Sequence, residues 1–263
     1  MRRGFGWLPD LPKRASAERP DWTFEEAMLR APSKAVLPEA HSNSRLVLSV
    51  LDQLELGACV ACAGFQAIRM AEVRQGVAAP KLGARLFNYY LSRAAHGLAA
   101  FDAGTQLRTF FWTLNKFGFL SEDSYPFGYD IHRFAESPPA IAYTRALDQK
   151  SPTRYWGIGE GPARIDQVKR AVSLGYGVCF GVQVGAPFAD WQIDPGTPLD
   201  PPSARAVTFG HAMLIEGYGG DVFTVLNSWG EQFGDRGRCL FTADYINAAH
   251  SVWVVESVPR RRR

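Results

Sequence analysis

From Cys59 to Ile68 the chain offers a single clearly polar side chain, Gln66. A helix built on that stretch has no solvent face, so it must run through the middle of a folded body. Polar residues return at Arg69, Glu72 and Arg74, and Gly76 is a natural stop. Covering such a helix takes a large surrounding mass. With 263 residues, 46% of them hydrophobic and 21% charged, the chain has that mass. It suffices for one large domain or two closely packed lobes. The same composition excludes a largely disordered chain. No run approaches the roughly 20 apolar residues of a membrane-spanning helix.

The remaining chain divides by periodicity. Residues 1–45 carry Pro9, Pro12, Pro20, Pro32 and Pro38, which interrupt any long helix, and are expected to wrap the surface. The opening Met1-Arg2-Arg3-Gly4-Phe5-Gly6-Trp7 has positive charge but no apolar run behind it, which argues against a secretory signal. Helices are expected over 86–95, ending at Gly97, and from Thr105 as N-cap through Leu107, Phe110, Phe111 and Leu114 to Gly118. A turn-rich stretch covers 121–139. One further helix at 165–174, stopped by Gly175, precedes strands at 178–184, 211–217, 222–227, 238–243 and 252–256. There is no internal repeat. Helices first and strands later predict an α+β fold of two lobes, helical over 46–150 and β-rich over 151–258, in one unit. The cleft between the lobes is a favoured place for a site.

Charge and cysteine usage narrow the partners. The net charge of +3 becomes −1 once the terminal arginines Arg260 to Arg263 are set aside, so the folded body is near neutral. No broad basic face for nucleic acid is implied, and the short basic tail at 259–263 suits at most an acidic partner. Four cysteines, Cys59, Cys62, Cys179 and Cys239, are too sparse for a disulfide-stapled secreted scaffold. Cys179 and Cys239 lie in apolar, strand-like runs that suit core residues. Together these features point to a cytoplasmic monomer.

Cys59 follows Gly57-Ala58, small residues that let the chain turn sharply, and opens the apolar helix. The positive end of the helix dipole favours thiolate, the nucleophilic form. A nucleophilic cysteine needs a base, and histidine is the natural one near neutral pH. His41, His96, His132 and His250 lie in polar surroundings and read as surface residues. His211 differs, because Gly210-His211-Ala212-Met213-Leu214-Ile215 places it at the start of an apolar strand. Sixteen residues later comes Asn227-Ser228-Trp229-Gly230, after a second strand. The intervening Gly217-Tyr218-Gly219-Gly220-Asp221 reads as a hairpin connection. Such a hairpin can bring Asn227 beside His211, where its amide would orient the imidazole and Trp229 would shield the bond from water.

At these residues the chain resembles the papain-like cysteine peptidases (the C1 family), and more closely their short bacterial members that lack a long inhibitory prosegment. The resemblance rests on Asp52-Gln53 with Cys59 six residues after the glutamine, then Gly210-His211-Ala212, then Asn227-Ser228-Trp229-Gly230. Leu86-Phe87-Asn88-Tyr89-Tyr90, Asp102-Ala103-Gly104-Thr105, Gly175-Tyr176-Gly177-Val178 and the opening Gly6-Trp7-Leu8-Pro9-Asp10-Leu11-Pro12 extend it nearly end to end. It implies a helical lobe packed on an antiparallel sheet lobe and a thiol endopeptidase acting on protein or peptide. Cys59 would be the nucleophile, His211 the general base and acid, and Asn227 the orienting amide. Gln53 would be an oxyanion donor beside the Cys59 amide, with Gly57, Gly210 and Trp229 in support. No cofactor or metal is implied. The resemblance also implies activity without removal of a large prosegment, so any restraint would fall to the first 45 residues.

Cys59-Val60-Ala61-Cys62 admits a second register, with Cys62 as nucleophile. The family pattern disfavours it, since position 60 should then be glycine and position 56 the glutamine, whereas the chain has Val60 and Leu56. With Cys59 as nucleophile, Leu56 stands where the family has a disulfide-forming cysteine, and Leu54 where it has glycine. A Cys-x-x-Cys redox or metal site lacks its βαβ context or further ligands. An amidase, deamidase or transpeptidase using the same residues, or a silent binding module on the same scaffold, remain as alternatives.

Overall fold

The computed structural model describes residues 4–10, 22–24, 36–149, 153–189 and 193–256. The basic tail lies outside them. Helix α1, Cys59–Arg74, is buried at every position from Cys59 to Ile68. Its small residues let neighbours approach closely: a Cβ on Gly64 would enter the ring of Phe110. Gly76, at φ +86°, ends it. Helices α2 (Arg85–Ala94) and α3 (Leu107–Phe117) pack beside it, and α4 (Ala140–Asp148) lies against α3.

The residue preceding α3 is Gln106, not the expected cap Thr105, and no side chain of its own caps it. Asp10 takes that part, its Oδ1 accepting from the Arg108 amide at 3.1 Å. Thr105 is used elsewhere, as an extended residue bridging in parallel to Trp7.

Among the described residues the sheet has eight strands. These are β1 (Trp22–Thr23), β2 (Ala40–Ser42), β3 (Arg154–Gly157), β4 (Val178–Gly185), β5 (Val207–Gly219), β6 (Val222–Leu226), β7 (Arg238–Thr242) and β8 (Ser251–Glu256). They pair in the order β1-β3-β8-β4-β5-β6-β7, with β2 also on β5. Every pair except β1–β3 is antiparallel. Helix α5 (Arg164–Ser173) ends at Gly175, as the sequence predicts, and packs on the sheet. The period of two along the strands sorts side chains onto two faces. On β4 and β5, Cys179, Ala212 and Leu214 join the core shared with α1–α3, while Phe180, Val182, Met213 and Ile215 join a second core with α5. Helix α1 therefore lies against the sheet with its first residue beside β5, the arrangement that brings the front and back of the chain together. Both α4 and β3 fall where the sequence shows no clear periodicity.

Of the segment expected to run over the surface, residues 4–8 instead enter the space between α1, the extended residues 103–105 and β5. The Trp7 amide donates to the Gly210 carbonyl at 3.3 Å, the Leu8 amide to the Thr105 carbonyl at 2.9 Å, and the Thr105 amide to the Gly6 carbonyl at 2.6 Å. Gly4, Gly6 and Trp7 are buried.

Candidate active site

Asn227 leaves the end of β6 with its Oδ1 accepting from the Ser228 amide at 2.8 Å. A backbone amide can only donate, so the side-chain oxygen, and not the nitrogen, occupies that position. The same oxygen is 2.8 Å from His211 Nε2, which must therefore carry the proton. The other ring nitrogen, Nδ1, is left with a bare lone pair, and it is buried without a hydrogen-bond partner. An imidazole held in this tautomer is a base pointing one way.

The sulfur of Cys59 is at hand. The amide of Ala212, the residue after His211, faces it, as do the amides of Gly6 and of its own helix neighbour Val60. Cys62 faces elsewhere, 3.9 Å from Arg85 Nη1, whose guanidinium also clasps Glu122 and the Asp52 carbonyl. The Cys59 sulfur is thus the one that meets the amide next to His211, while Cys62 lies one helical turn further on, beside Ala212 and Asn227 in a small cavity. Cys179 and Cys239 are core residues, and all four thiols are free.

Gln53 is fully buried and fixed at both ends. Ser228 Oγ donates to its Oε1 at 2.6 Å, which turns the amide nitrogen the other way. That nitrogen donates to the Leu56 carbonyl at 2.9 Å and to the Gly4 carbonyl at 2.9 Å. Its backbone amide donates to the Ser228 carbonyl at 2.8 Å, tying the loop before α1 to the loop after β6. Ser228 was visible in the sequence only as a member of a motif. Its work, orienting Gln53, depends on a contact 175 residues away along the chain.

Residues 4–8 lie across these groups. The Phe5 ring stacks on Phe209 at 4.3 Å and meets His211 and Trp229 edge-on at 5.6 and 5.4 Å. Trp7 fills a pocket whose floor is Gly181 and Gly210; a Cβ on either would collide with it. It stacks on His250 at 5.9 Å, a histidine that is exposed, as the sequence reading has it. Trp229 is fully buried with its ring 5.0 Å from that of His211.

Burial decides the protonation states. The sequence predicts a thiolate at the helix N-terminus. In the structure, loss of water outweighs the three facing amides and pushes the Cys59 thiol up to about 12. The same burial pulls His211 down to about 4, against the smaller opposing pull of Asn227. Both groups are therefore neutral near pH 7. Among the described residues no group of three or more histidine, cysteine or acidic side chains is gathered as metal ligands would be. None of their helices is long and apolar enough to cross a membrane.

No protein-family model matches the chain. It is 32% identical over 224 residues to an uncharacterised peptidase C1-like protein of Acanthamoeba polyphaga mimivirus, covering 80% of this chain and 70% of that one. Xylellain, a cysteine protease from Xylella fastidiosa, has the same architecture with a TM-score of 0.80, 25% identity and 98% of each chain covered. Bromelain from Ananas comosus, solved with the inhibitor E64, shares the fold at 18% identity and a TM-score of 0.62, over 83% of this chain and 98% of its own.

Proposed function

The chain belongs to the papain-like C1 peptidase family and is a cysteine endopeptidase, and from that premise we propose how its residues carry the reaction. Cys59 Sγ attacks the scissile carbonyl carbon while its proton passes to His211 Nδ1. The carbonyl oxygen becomes an oxyanion between Gln53 Nε2 and the Cys59 amide. Collapse of this intermediate breaks the C–N bond, His211 returns the proton to the departing amine, and a thioester remains. Water, deprotonated by the same imidazole, then releases the acid and restores the thiol. Asn227 keeps His211 in the one tautomer that suits both steps.

The observation that carries this reading is the Ser228–Asn227–His211 chain of hydrogen bonds, which leaves an unoccupied basic nitrogen buried beside the segment that contacts Cys59. Residues 4–8 add a condition. The carbonyl on Gln53 is Gly4's and the amide on the sulfur is Gly6's, so the segment sits where a substrate backbone would sit. We take the enzyme to be latent until that segment moves out. The four free thiols support a reducing compartment, the cytoplasm of a bacterial cell.

The test is covalent labelling of the full chain carrying Phe5→Ala and Trp7→Ala, in which the covering segment is loosened, with a thiol-directed epoxysuccinyl inhibitor, followed by peptide mapping. Label on Cys59, and its loss together with all peptidase activity in Cys59→Ala, is the expected outcome. Label on Cys62, or activity persisting in Cys59→Ala, would refute the assignment.

A further inference from the structure

Asp102 belongs to no part of the reaction described above, yet it touches two of the walls that hold a peptide backbone in the cleft. The Gly57 amide donates to its Oδ1 at 3.0 Å and to its Oδ2 at 3.2 Å. The Tyr89 hydroxyl, on α2, also donates to Oδ1. That hydroxyl in turn accepts from the Gly104 amide at 3.1 Å. One carboxylate thus joins the turn before the nucleophile to the segment 103–105 through a phenol. The arrangement is braced from behind. Arg93 lies over the Tyr89 ring at 4.1 Å and donates to the Ala99 and Phe101 carbonyls, each at 2.6 Å, which fixes the chain leading into Asp102.

The two edges so joined are the ones between which backbone lies. A Cβ on Gly6 would run into the backbone of Gly57, and one on Gly104 would run into the Gly6 carbonyl. Thr105 makes backbone hydrogen bonds to Gly6 and to Leu8. The gap is one extended chain wide. Opening or closing it by a fraction of an ångström would cost those hydrogen bonds or create a clash, because hydrogen bonds weaken steeply away from their best geometry. The usual tie for this turn is missing: position 56, where the family resemblance calls for a disulfide-forming cysteine, holds leucine.

We propose that Asp102 is a positioning residue that sets the width of the substrate channel, acting through the Gly57 amide and the Tyr89 hydroxyl on the binding of extended peptides. It does not act on the Cys59–His211 chemistry. This rests on the peptidase reading above. It differs from a stabilising role in what it moves: binding of a substrate long enough to use both edges, and nothing that needs only the sulfur and the imidazole.

The test uses the full chain carrying Phe5→Ala and Trp7→Ala, chosen to weaken the hold of residues 4–8 on the cleft, with Asp102→Ala, Asp102→Asn or Tyr89→Phe added. For a peptide spanning the cleft, Asp102→Ala should raise KM about tenfold with kcat changed less than about threefold. Hydrolysis of a small activated ester, and the pH profile of Cys59 alkylation by iodoacetamide, should stay within about twofold. Asp102→Asn keeps an oxygen for the Gly57 amide and should recover most of the loss. Tyr89→Phe, which cuts the link to Gly104 alone, should raise KM about threefold and covers the case in which Asp102→Ala does not fold. Unchanged KM in every variant, or equal losses on peptide and small ester, would overturn the proposal. If the parent neither cleaves peptide nor labels at Cys59, the peptidase reading itself has failed, which is a different result.

Discussion

The two sides of the cleft hold their working groups by different means. On the sheet side, His211 is enclosed by rings, with Phe5, Phe188 and Trp229 centred 5.6, 5.9 and 5.0 Å from it, and has one hydrogen bond, to Asn227. On the helix side, Gln53 is held by hydrogen bonds at its amide oxygen, its amide nitrogen and its backbone, with the Tyr129 hydroxyl donating to its carbonyl at 3.1 Å. Ring packing excludes water and so sets proton affinity. The hydrogen bonds on Gln53 fix the direction of a group that does not titrate. The sheet side should therefore govern how the enzyme responds to pH, and the helix side how well it aligns what it binds.

The largest effect that tests this contrast is on the helix side. Replacing Gln53 by Ala should lower kcat by about 10²–10³-fold with the pH profile unmoved, measured as initial rates across a pH series. A shifted profile would mean that Gln53 also tunes the proton-carrying pair, and the division between the two sides would fall. Next comes the segment that covers both. Phe5→Ala with Trp7→Ala should raise peptidase activity of the full chain about tenfold, since each side chain helps hold the cleft closed. No gain would show that residues 4–8 leave the cleft at no cost. The smallest effect concerns stability in acid. His211 is neutral in the fold and ordinary in the unfolded chain, so as pH falls from 6.5 towards its folded value near 4 the unfolded chain binds the proton first. The fold should lose up to about 3 kcal/mol over that window, and the loss should shrink in His211→Gln, read from urea midpoints at several pH values. Equal losses in both proteins would place the acid sensitivity elsewhere.

How much of this was legible beforehand follows from what each feature depends on. The buried course of α1 shows in its unbroken apolar run, and Gly76, Gly97, Gly118 and Gly175 mark real helix ends, each at positive φ. His211 and Asn227 were legible as a pair because a hairpin of known length separates them, although β5 runs from Val207, four residues earlier than its apolar stretch suggests. The rest depends on long-range meetings. Nothing local marks Gly4-Phe5-Gly6-Trp7 as an occupant of the cleft. Gly4 makes sense only against the Leu56 backbone, and Gly6 only against Gly57 and Gly104, roughly fifty and a hundred residues away. The protonation states were misread for the same reason. The helix dipole is a local property, whereas the burial it competes with involves the N-terminal segment, whose Gly6 amide lies on the sulfur. Asp102 was visible only as part of a motif, because its partners Gly57 and Tyr89 lie on other elements.

The account stands on a complete thiol–imidazole pair kept neutral by the chain's own N-terminal segment. Site-resolved alkylation of Cys59 by iodoacetamide across pH, in the wild type and in Phe5→Ala/Trp7→Ala, addresses it most directly. The wild type should react at Cys59 only in strongly alkaline solution, in keeping with a thiol raised to about 12, while the variant should react readily near neutrality. Equal reactivity of the two proteins at pH 7, or modification at Cys62 in place of Cys59, would contradict it.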